Sequence, residues 1–169
     1  MITHLTHLLW SRAAQAALLP MAVALALLPT AAAAHAQAQR TALAGTETET
    51  FDYDTVSRLW QAGPWSIGQG LTLSGTFDYG ALHGTVYDVV NTRLSFPSGD
   101  GQVWGTRTYT ASNGVVCSGQ VSGKTTGFLL NEQIVAPCSD GSLLRGTLQT
   151  VSNDFNVVVS NFQGELLSP

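Results

Sequence analysis

LHGTVYDVVNTRLSF (Leu82 to Phe96), PSGDG (Pro97 to Gly101) and QVWGTRTYTA (Gln102 to Ala111) stand consecutively in the middle of a 169-residue chain. The two outer runs alternate at period two and are rich in Val, Thr, Tyr and Trp, which suits a pleated, half-buried surface. The five residues between them tolerate a tight reversal, so the unit reads as an antiparallel hairpin.

The same grammar extends to both sides. Gly70 to Tyr79, Val115 to Ser122, Phe128 to Val135, Ser142 to Val151 and Asn156 to Leu166 read as further strands. Ser112-Asn113-Gly114 and Ser139-Asp140-Gly141 supply turn chemistry between neighbours. Upstream, Thr46-Glu47-Thr48-Glu49-Thr50-Phe51-Asp52-Tyr53 alternates Thr with Glu or an aromatic and reads as a first strand with one wetter end. Only one segment speaks for helix: Asp54 as N-cap, Val56, Leu59 and Trp60 as an apolar stripe, and Gly63-Pro64 as a stop, which predicts a short helix over Val56 to Gln61.

About eight short-connected antiparallel strands can close on themselves and so remove their exposed edges. The expected fold class is all-β, a small antiparallel barrel of about eight strands with one short helix. Glycine recurs inside predicted strands at Gly75-Thr76, Gly84-Thr85, Gly105-Thr106 and Gly146-Thr147. Either strands bend sharply and approach closely there, or glycine is simply frequent in this composition.

The first residues tell of compartment. Met1 to Arg12 carries one arginine, Ala13 to Ala34 is uncharged and rich in Ala and Leu, and Ala34-His35-Ala36 and Ala36-Gln37-Ala38 offer small side chains at cleavage-site spacing. Residues 1–36 are read as a signal peptide cleaved after residue 36 or 38, residues 37–45 as a flexible leader, and residues 46–169 as one barrel domain. A retained anchor would need an uninterrupted apolar helix, which Pro20 and Pro29 disfavour. The expected location is secreted or periplasmic, without stable membrane insertion.

Charge narrows the partners. Eleven acidic residues face seven Lys and Arg, for a net charge of −4, and the single base lost with the leader makes the remainder more acidic still. Nucleic-acid binding needs clustered basic side chains, whereas these are scattered singly from Arg40 to Arg145.

Two cysteines remain after the leader, Cys117 and Cys138, and in an oxidising compartment they are most simply one disulfide. Facing one another across a hairpin, they put its midpoint near Gly127 and Phe128. The turn signal at Ser122-Gly123-Lys124 conflicts with that register, and the expected resolution is a wide loop over Gly123 to Gly127 with the strand ending at Ala136-Pro137. With His83 the only histidine beyond the leader, neither a metal site nor a cofactor is expected.

From Leu71 to Pro169 the motifs Leu-x-Gly-Thr, Gly-Asp-Gly-x-x-Trp-Gly-Thr, Ser-Gly-Lys-x-x-Gly, Arg-Gly-Thr and a closing Phe-x-Gly-Glu-Leu-Leu-x-Pro form a pattern. It resembles a broad group of secreted bacterial proteins and, more distantly, the eight-stranded barrels of the allene oxide cyclase and dirigent type. The resemblance implies a barrel whose interior accommodates a small apolar molecule in some relatives. Its motifs are glycines and turn residues, so no catalytic residue carries over.

Candidate site residues follow from alternation. Asp88 sits between Val86 and Val90 on a face that also carries Leu82, Leu94 and Phe96, so it must be paired, with Arg107 and Arg145 the natural partners. Such a set either orients a polar ligand group or is a structural ion pair. Among the aromatics, Tyr109 and Trp104 are candidates for a pocket lining, and Trp60 and Trp65, flanking Gly63-Pro64, for a lid or mouth. His83 reads as structural or exposed.

The favoured reading is a non-enzymatic binding or structural module holding a small apolar ligand. The alternative is a cyclase- or isomerase-type enzyme that uses a barrel cavity and Asp88, Arg107, Tyr109 and Glu132. A small outer-membrane barrel is the third reading, opposed by the non-aromatic ending Leu167-Ser168-Pro169.

Overall fold

A computed structural model describes residues 38–169, and the signal-peptide reading of residues 1–36 falls outside them. The central hairpin forms: β4 (His83–Ser95) pairs antiparallel with β5 (Gly101–Ala111), and Asp88 lies directly opposite Arg107. Around it stand β1 (Gln39–Asp52), β2 (Arg58–Ala62), β3 (Trp65–Asp78), β6 (Val116–Thr126), β7 (Leu129–Pro137), β8 (Leu143–Asn153) and β9 (Val157–Ser168). The sheet runs β1-β9-β8-β7-β6-β5-β4-β3-β2 and closes through β1 on β3. Eight strands thus make a closed antiparallel barrel, and β2 is an extra strand on the rim.

Three expectations are corrected. Among the described residues there is no α-helix: a 3₁₀ turn at Tyr53–Thr55 leads into β2, whose residues Arg58 to Ala62 pair with Gln69 to Trp65 around a turn at Gly63-Pro64. The stripe Val56, Leu59, Trp60 is too short to pay for helix nucleation, and the edge of β3 offers every residue of β2 a pairing partner. Residues 39–45, expected in a flexible leader, are the first half of β1 and pair with β9, Gln39 opposite Ser168 and Gly45 opposite Phe162. The wide loop over Gly123 to Gly127 is absent, since Gly123 to Thr126 pair with Glu132 to Leu129 and the turn is Gly127-Phe128 alone.

That last register reconciles the cysteines. Continued along the two strands, it places Cys117 opposite Cys138, where the disulfide bridges Cα atoms 3.9 Å apart. Gly127 and Phe128 both have positive φ, at 59° and 66°, the backbone that a two-residue hairpin turn requires. The midpoint inferred from the disulfide is therefore correct, while the local turn signal is misleading.

Every Gly-Thr glycine faces the interior. A Cβ on Gly75 would lie 1.9 Å from the Thr48 carbonyl oxygen, and one on Gly105 would lie 2.1 Å from that of Val89. The glycines thus mark places where strands coil so tightly that neighbouring backbone fills the side-chain position.

The interior is layered along the barrel axis. At the base, reached by the β3–β4, β5–β6 and β7–β8 turns, Leu43, Phe77, Tyr79, Tyr109, Ile134, Leu144 and Phe162 are buried in one cluster. Tyr79 stacks on Phe162 with ring centroids 4.1 Å apart. Toward the mouth only Leu73, Val90, Val121 and Val158 form the buried apolar set. Between these halves lies a layer of charge.

Candidate functional site

Arg107 is the hub of that layer. Its cross-strand neighbours are Asp88 on β4 and Gly119 on β6, so one side offers a carboxylate and the other leaves room for the guanidinium to cross the barrel. Arg107 Nε donates to Asp88 Oδ1 at 2.8 Å and Oδ2 at 2.9 Å, and Nη2 donates to Oδ2 at 2.5 Å. The same Nη2 lies 3.3 Å from Glu49 Oε2 and 3.5 Å from Glu47 Oε1, and Nη1 donates to Glu132. Tyr79 donates its hydroxyl proton to Glu47 Oε2 at 2.5 Å, and the Arg107 guanidinium lies 5.9 Å from the Tyr109 ring centroid.

One guanidinium therefore serves four buried carboxyl groups. It cannot satisfy them all: Glu47 Oε1, Glu49 Oε1 and Glu132 Oε2 have no hydrogen-bond partner, nor does the buried hydroxyl of Thr125. Burial raises the pKa of Glu49 well above the usual carboxylate range, with Arg107 opposing and Asp88 and Glu47 reinforcing the rise. Burial also raises Asp88, again against Arg107. Glu132 is pushed up to about 7 by burial, offset in part by Arg107. For Arg107 itself burial favours loss of the proton, but the surrounding Glu47, Tyr109, Asp88 and Glu132 outweigh it and hold the cation.

Above this layer, toward the mouth, is a cavity of about 80 Å³. Its floor is Glu49, Asp88 and Arg107; its walls include Leu73, Val90, Val121 and Val158; Thr125, Thr150 and Ser160 add hydroxyls. Thr150 and Ser160 bond one another at 3.1 Å, whereas Thr125 is only 6% exposed and unpartnered. Phe128 covers the cavity, packing against Phe155 at 5.0 Å, and Asn153 Nδ2 donates to the Phe128 carbonyl at 3.2 Å.

The structure brings Asp88, Arg107, Tyr109 and Glu132 into one buried layer and leaves the three tryptophans out of it. Trp104 is 41% exposed on the outer wall because β5 turns its odd-numbered residues inward. Trp65 would share the inward face of Leu71 and Leu73 were it not for a bulge between Gly68 and Leu71, whose extra residue reverses the alternation. Trp65 and Trp60 instead stack outside under Arg93 and Arg58, with guanidinium-to-ring distances of 4.4 and 4.6 Å. Neither lines the cavity, whereas Phe128 does. Arg145 is no partner of Asp88, since it faces outward and pairs with Glu165. Phe96, expected on the buried face, is 65% exposed, because β4 ends at Ser95 and Phe96 enters the loop at the rim. His83 is exposed and shares a 3.0 Å hydrogen bond with Ser112.

Glu47 and Glu49 escaped the sequence reading. Their type and the alternating threonines suggested a wet strand end, yet both share the odd-numbered face of Leu43 and Phe51, and that parity is the signal that finds them. No protein family, curated protein or solved structure matches the chain.

Proposed function

We propose that this chain is an exported barrel that holds a small, mostly apolar molecule in its mouth half, with the molecule's polar end against the charged layer. The observation that carries this reading is the cavity itself. Its walls are aliphatic, and two buried polar atoms on it stand without partners, Glu49 Oε1 at the floor and Thr125 Oγ1 nearer the Phe128 turn. A buried polar group without a hydrogen bond costs about 1–3 kcal/mol, and a ligand that supplies the bond recovers it. The volume is below the ~300 Å³ of drug-sized pockets, so the molecule is small. The resemblance to allene oxide cyclase and dirigent barrels supports the same use of the interior.

Export is supported by the leader, by the disulfide and by the start of β1 at Gln39, immediately beyond the cleavage positions. The outward residues of the wall, such as Thr85, Thr106, Gln120 and Thr147, are those of a water-facing surface rather than of a lipid-facing apolar band. N-terminal sequencing of exported protein is expected to begin at Gln37 or Gln39.

Methyl NMR of Val121 and Val158 during titration with small apolar probes tests the binding reading. Shifts confined to these walls are expected, and Val121→Phe, which fills the cavity, should remove them. Silence of both methyls toward every probe would defeat the proposal.

The acidic floor favours one second reading, proton-transfer catalysis of isomerase type, because burial raises the pKa of Glu49 and its side chain borders the cavity. Incubating the protein with small enolisable ketones in heavy water should then give deuterium exchange that Glu49→Gln abolishes. An exchange rate equal to buffer alone would end that reading.

A further inference from the structure

We infer that the outer wall of the barrel near its mouth is a groove for an acidic polysaccharide, with one sugar carboxylate seated between Arg93 and Lys124 and the adjoining sugar units along Trp104 and a row of amides. The site lies on the outer side of the wall and stands independently of the cavity.

Strand register fixes the row. Arg93 pairs with Gln102, Gln102 with Lys124, Lys124 with Asn131, Asn131 with Gln149, and Gln149 with Asn161. All six are exposed. One continuous line of cross-strand neighbours, stepping about 4.8 Å per strand, thus presents only amides and cations to solvent. Two residues further along their strands, Trp104 and Ser122 pair with one another and are exposed on the same side. The wall is concave here. A groove of about 850 Å³ takes in Gln102, Trp104, Lys124, Asn131, Gln133 and Gln149, within the roughly 300–1,000 Å³ of ligand sites. A second concavity, of about 340 Å³, shares Gln102 and Lys124 with it and adds Trp65 and Arg93.

Charge selects an anion for the second concavity. Arg40 and Arg145 are held by Glu165, and Arg107 by the buried acids, whereas Arg93 and Lys124 pair with no carboxylate among the described residues. Asp100, at the neighbouring turn, accepts from Gly127 N at 3.0 Å instead, and the carboxylate of Glu132, which borders the groove, is engaged by Arg107. Arg93 and Lys124 stand two strands apart, about 10 Å at the backbone, a span that two long side chains close on a single carboxylate. Arg93 is already held over the Trp65 ring at 4.4 Å, so it has less freedom to lose on binding.

The first groove selects the rest of the ligand. Amides donate and accept, as sugar hydroxyls require, and of those in the groove only Gln133 bonds another side chain among the described residues, donating to Thr147 at 3.1 Å. Trp104, 41% exposed, offers a flat apolar ring to the C–H face of a sugar. A neutral glycan would leave both cations unused. An acidic peptide would use the cations but has no C–H face of that shape for the ring. Two cations are too few for a phosphate backbone.

The test titrates tetragalacturonate, cellotetraose and tetraglutamate into the mature protein near neutral pH, followed by NMR of the Trp104 indole and of the Gln102 and Asn131 side-chain amides. Tetragalacturonate is expected to move all three signals and to bind about tenfold or more tighter than either of the others. Lys124→Gln should remove most of its advantage over cellotetraose and reduce its sensitivity to salt. Trp104→Ala should weaken tetragalacturonate several-fold while leaving the thermal midpoint unchanged, because the ring lies on the surface. If tetraglutamate binds as tightly, charge alone is recognised and the glycan assignment is wrong; if cellotetraose does, the acidic assignment is wrong. Unchanged binding by Lys124→Gln or Trp104→Ala would remove the seat proposed for each. If no probe moves these signals the groove proposal falls, and the Val121 and Val158 methyls, on the other side of the wall, still report on the cavity separately.

Discussion

The base and the mouth of the barrel are built by the same eight strands, yet they are filled differently. Thirteen buried apolar residues meet in the base, with Phe77, Tyr79, Tyr109 and Phe162 in mutual ring contact. Four meet in the mouth, three of them valines, and a cavity remains. Eight strands enclose an interior just wide enough for side chains to fill, so small residues in one half leave space that large ones in the other do not. The base holds the barrel together and the mouth gives up packing for room, with the Arg107 layer as the partition.

Breaking the partition should have the largest effect. Arg107→Ala leaves four buried acids with no cation, and removing one partner of a buried ion pair costs about 3–5 kcal/mol. Urea unfolding of this variant should show that loss or outright failure to fold. A variant within about 1 kcal/mol of the parent would mean that the layer is solvated and divides nothing.

The halves can then be compared directly by truncation. Leu144 is fully buried in the base, and Leu144→Ala should cost about 2–5 kcal/mol. Leu73→Ala only enlarges a cavity that already exists, and it should fall at the bottom of that range or below. The reverse change separates them further: Val86→Leu overpacks the base at about 1–3 kcal/mol, while Val158→Leu in the mouth should be neutral or stabilising. Equal costs at the two ends would erase the distinction.

The disulfide ties β6 to β7 on the base side, where no ladder pairing is continuous between Glu132 and Cys138. Replacing both cysteines with alanine should cost about 3 kcal/mol by chain entropy, readable as a lower thermal midpoint.

The acids give the partition a pH dependence of definite sign. Glu132 has its folded pKa raised from 4.5 to about 7, so the unfolded chain ionises first as pH rises. Its contribution to stability is fully present below about pH 4.5 and is lost as pH climbs to about 7. At 1.36 kcal/mol per unit the loss is about 3 kcal/mol, less whatever structural relaxation returns. The raised pKa values of Glu49 and Asp88 act in the same direction. Denaturant midpoints should fall between mildly acidic and neutral pH, and Glu132→Gln should flatten part of that slope; a rise over the same window would contradict the burial of these acids.

The fold was legible because strand alternation, glycines and turn residues all point one way, and the ion pair Asp88 to Arg107 was legible because a charge on an otherwise apolar face needs a partner. What stayed hidden depends on parity. Glu47 and Glu49 looked solvated by composition, and only counting from Leu43 and Phe51 turns them inward. Trp65 was read as a lid or mouth residue because it flanks Gly63-Pro64, and counting back along β3 from Leu73 would not have placed it either, since a bulge between Gly68 and Leu71 breaks the alternation. β2 was misread as helix because five residues contain too few turns of either period to separate them.

The smallest expected effect concerns the residue that closes the mouth. Phe128 and Phe155 are the two non-glycine residues with positive φ among those described, at 66° and 67°. For a bulky side chain this backbone costs about 1–2 kcal/mol, and the pair recovers some of it through an aromatic contact of about 0.5–1.5 kcal/mol. Phe128→Gly removes both at once, along with the modest burial of one half-covered ring, so its net effect on stability should lie within about 1 kcal/mol of zero. Access should change far more than stability, because Phe128 is what covers the cavity. Probe exchange measured by NMR line shape should quicken in Phe128→Gly, whereas Phe155→Gly, which removes only the outer ring, should alter it less. If Phe128→Gly instead loses about 3 kcal/mol or more, as a core aromatic does, then Phe128 belongs to a packed interior and the mouth is as closed as the base.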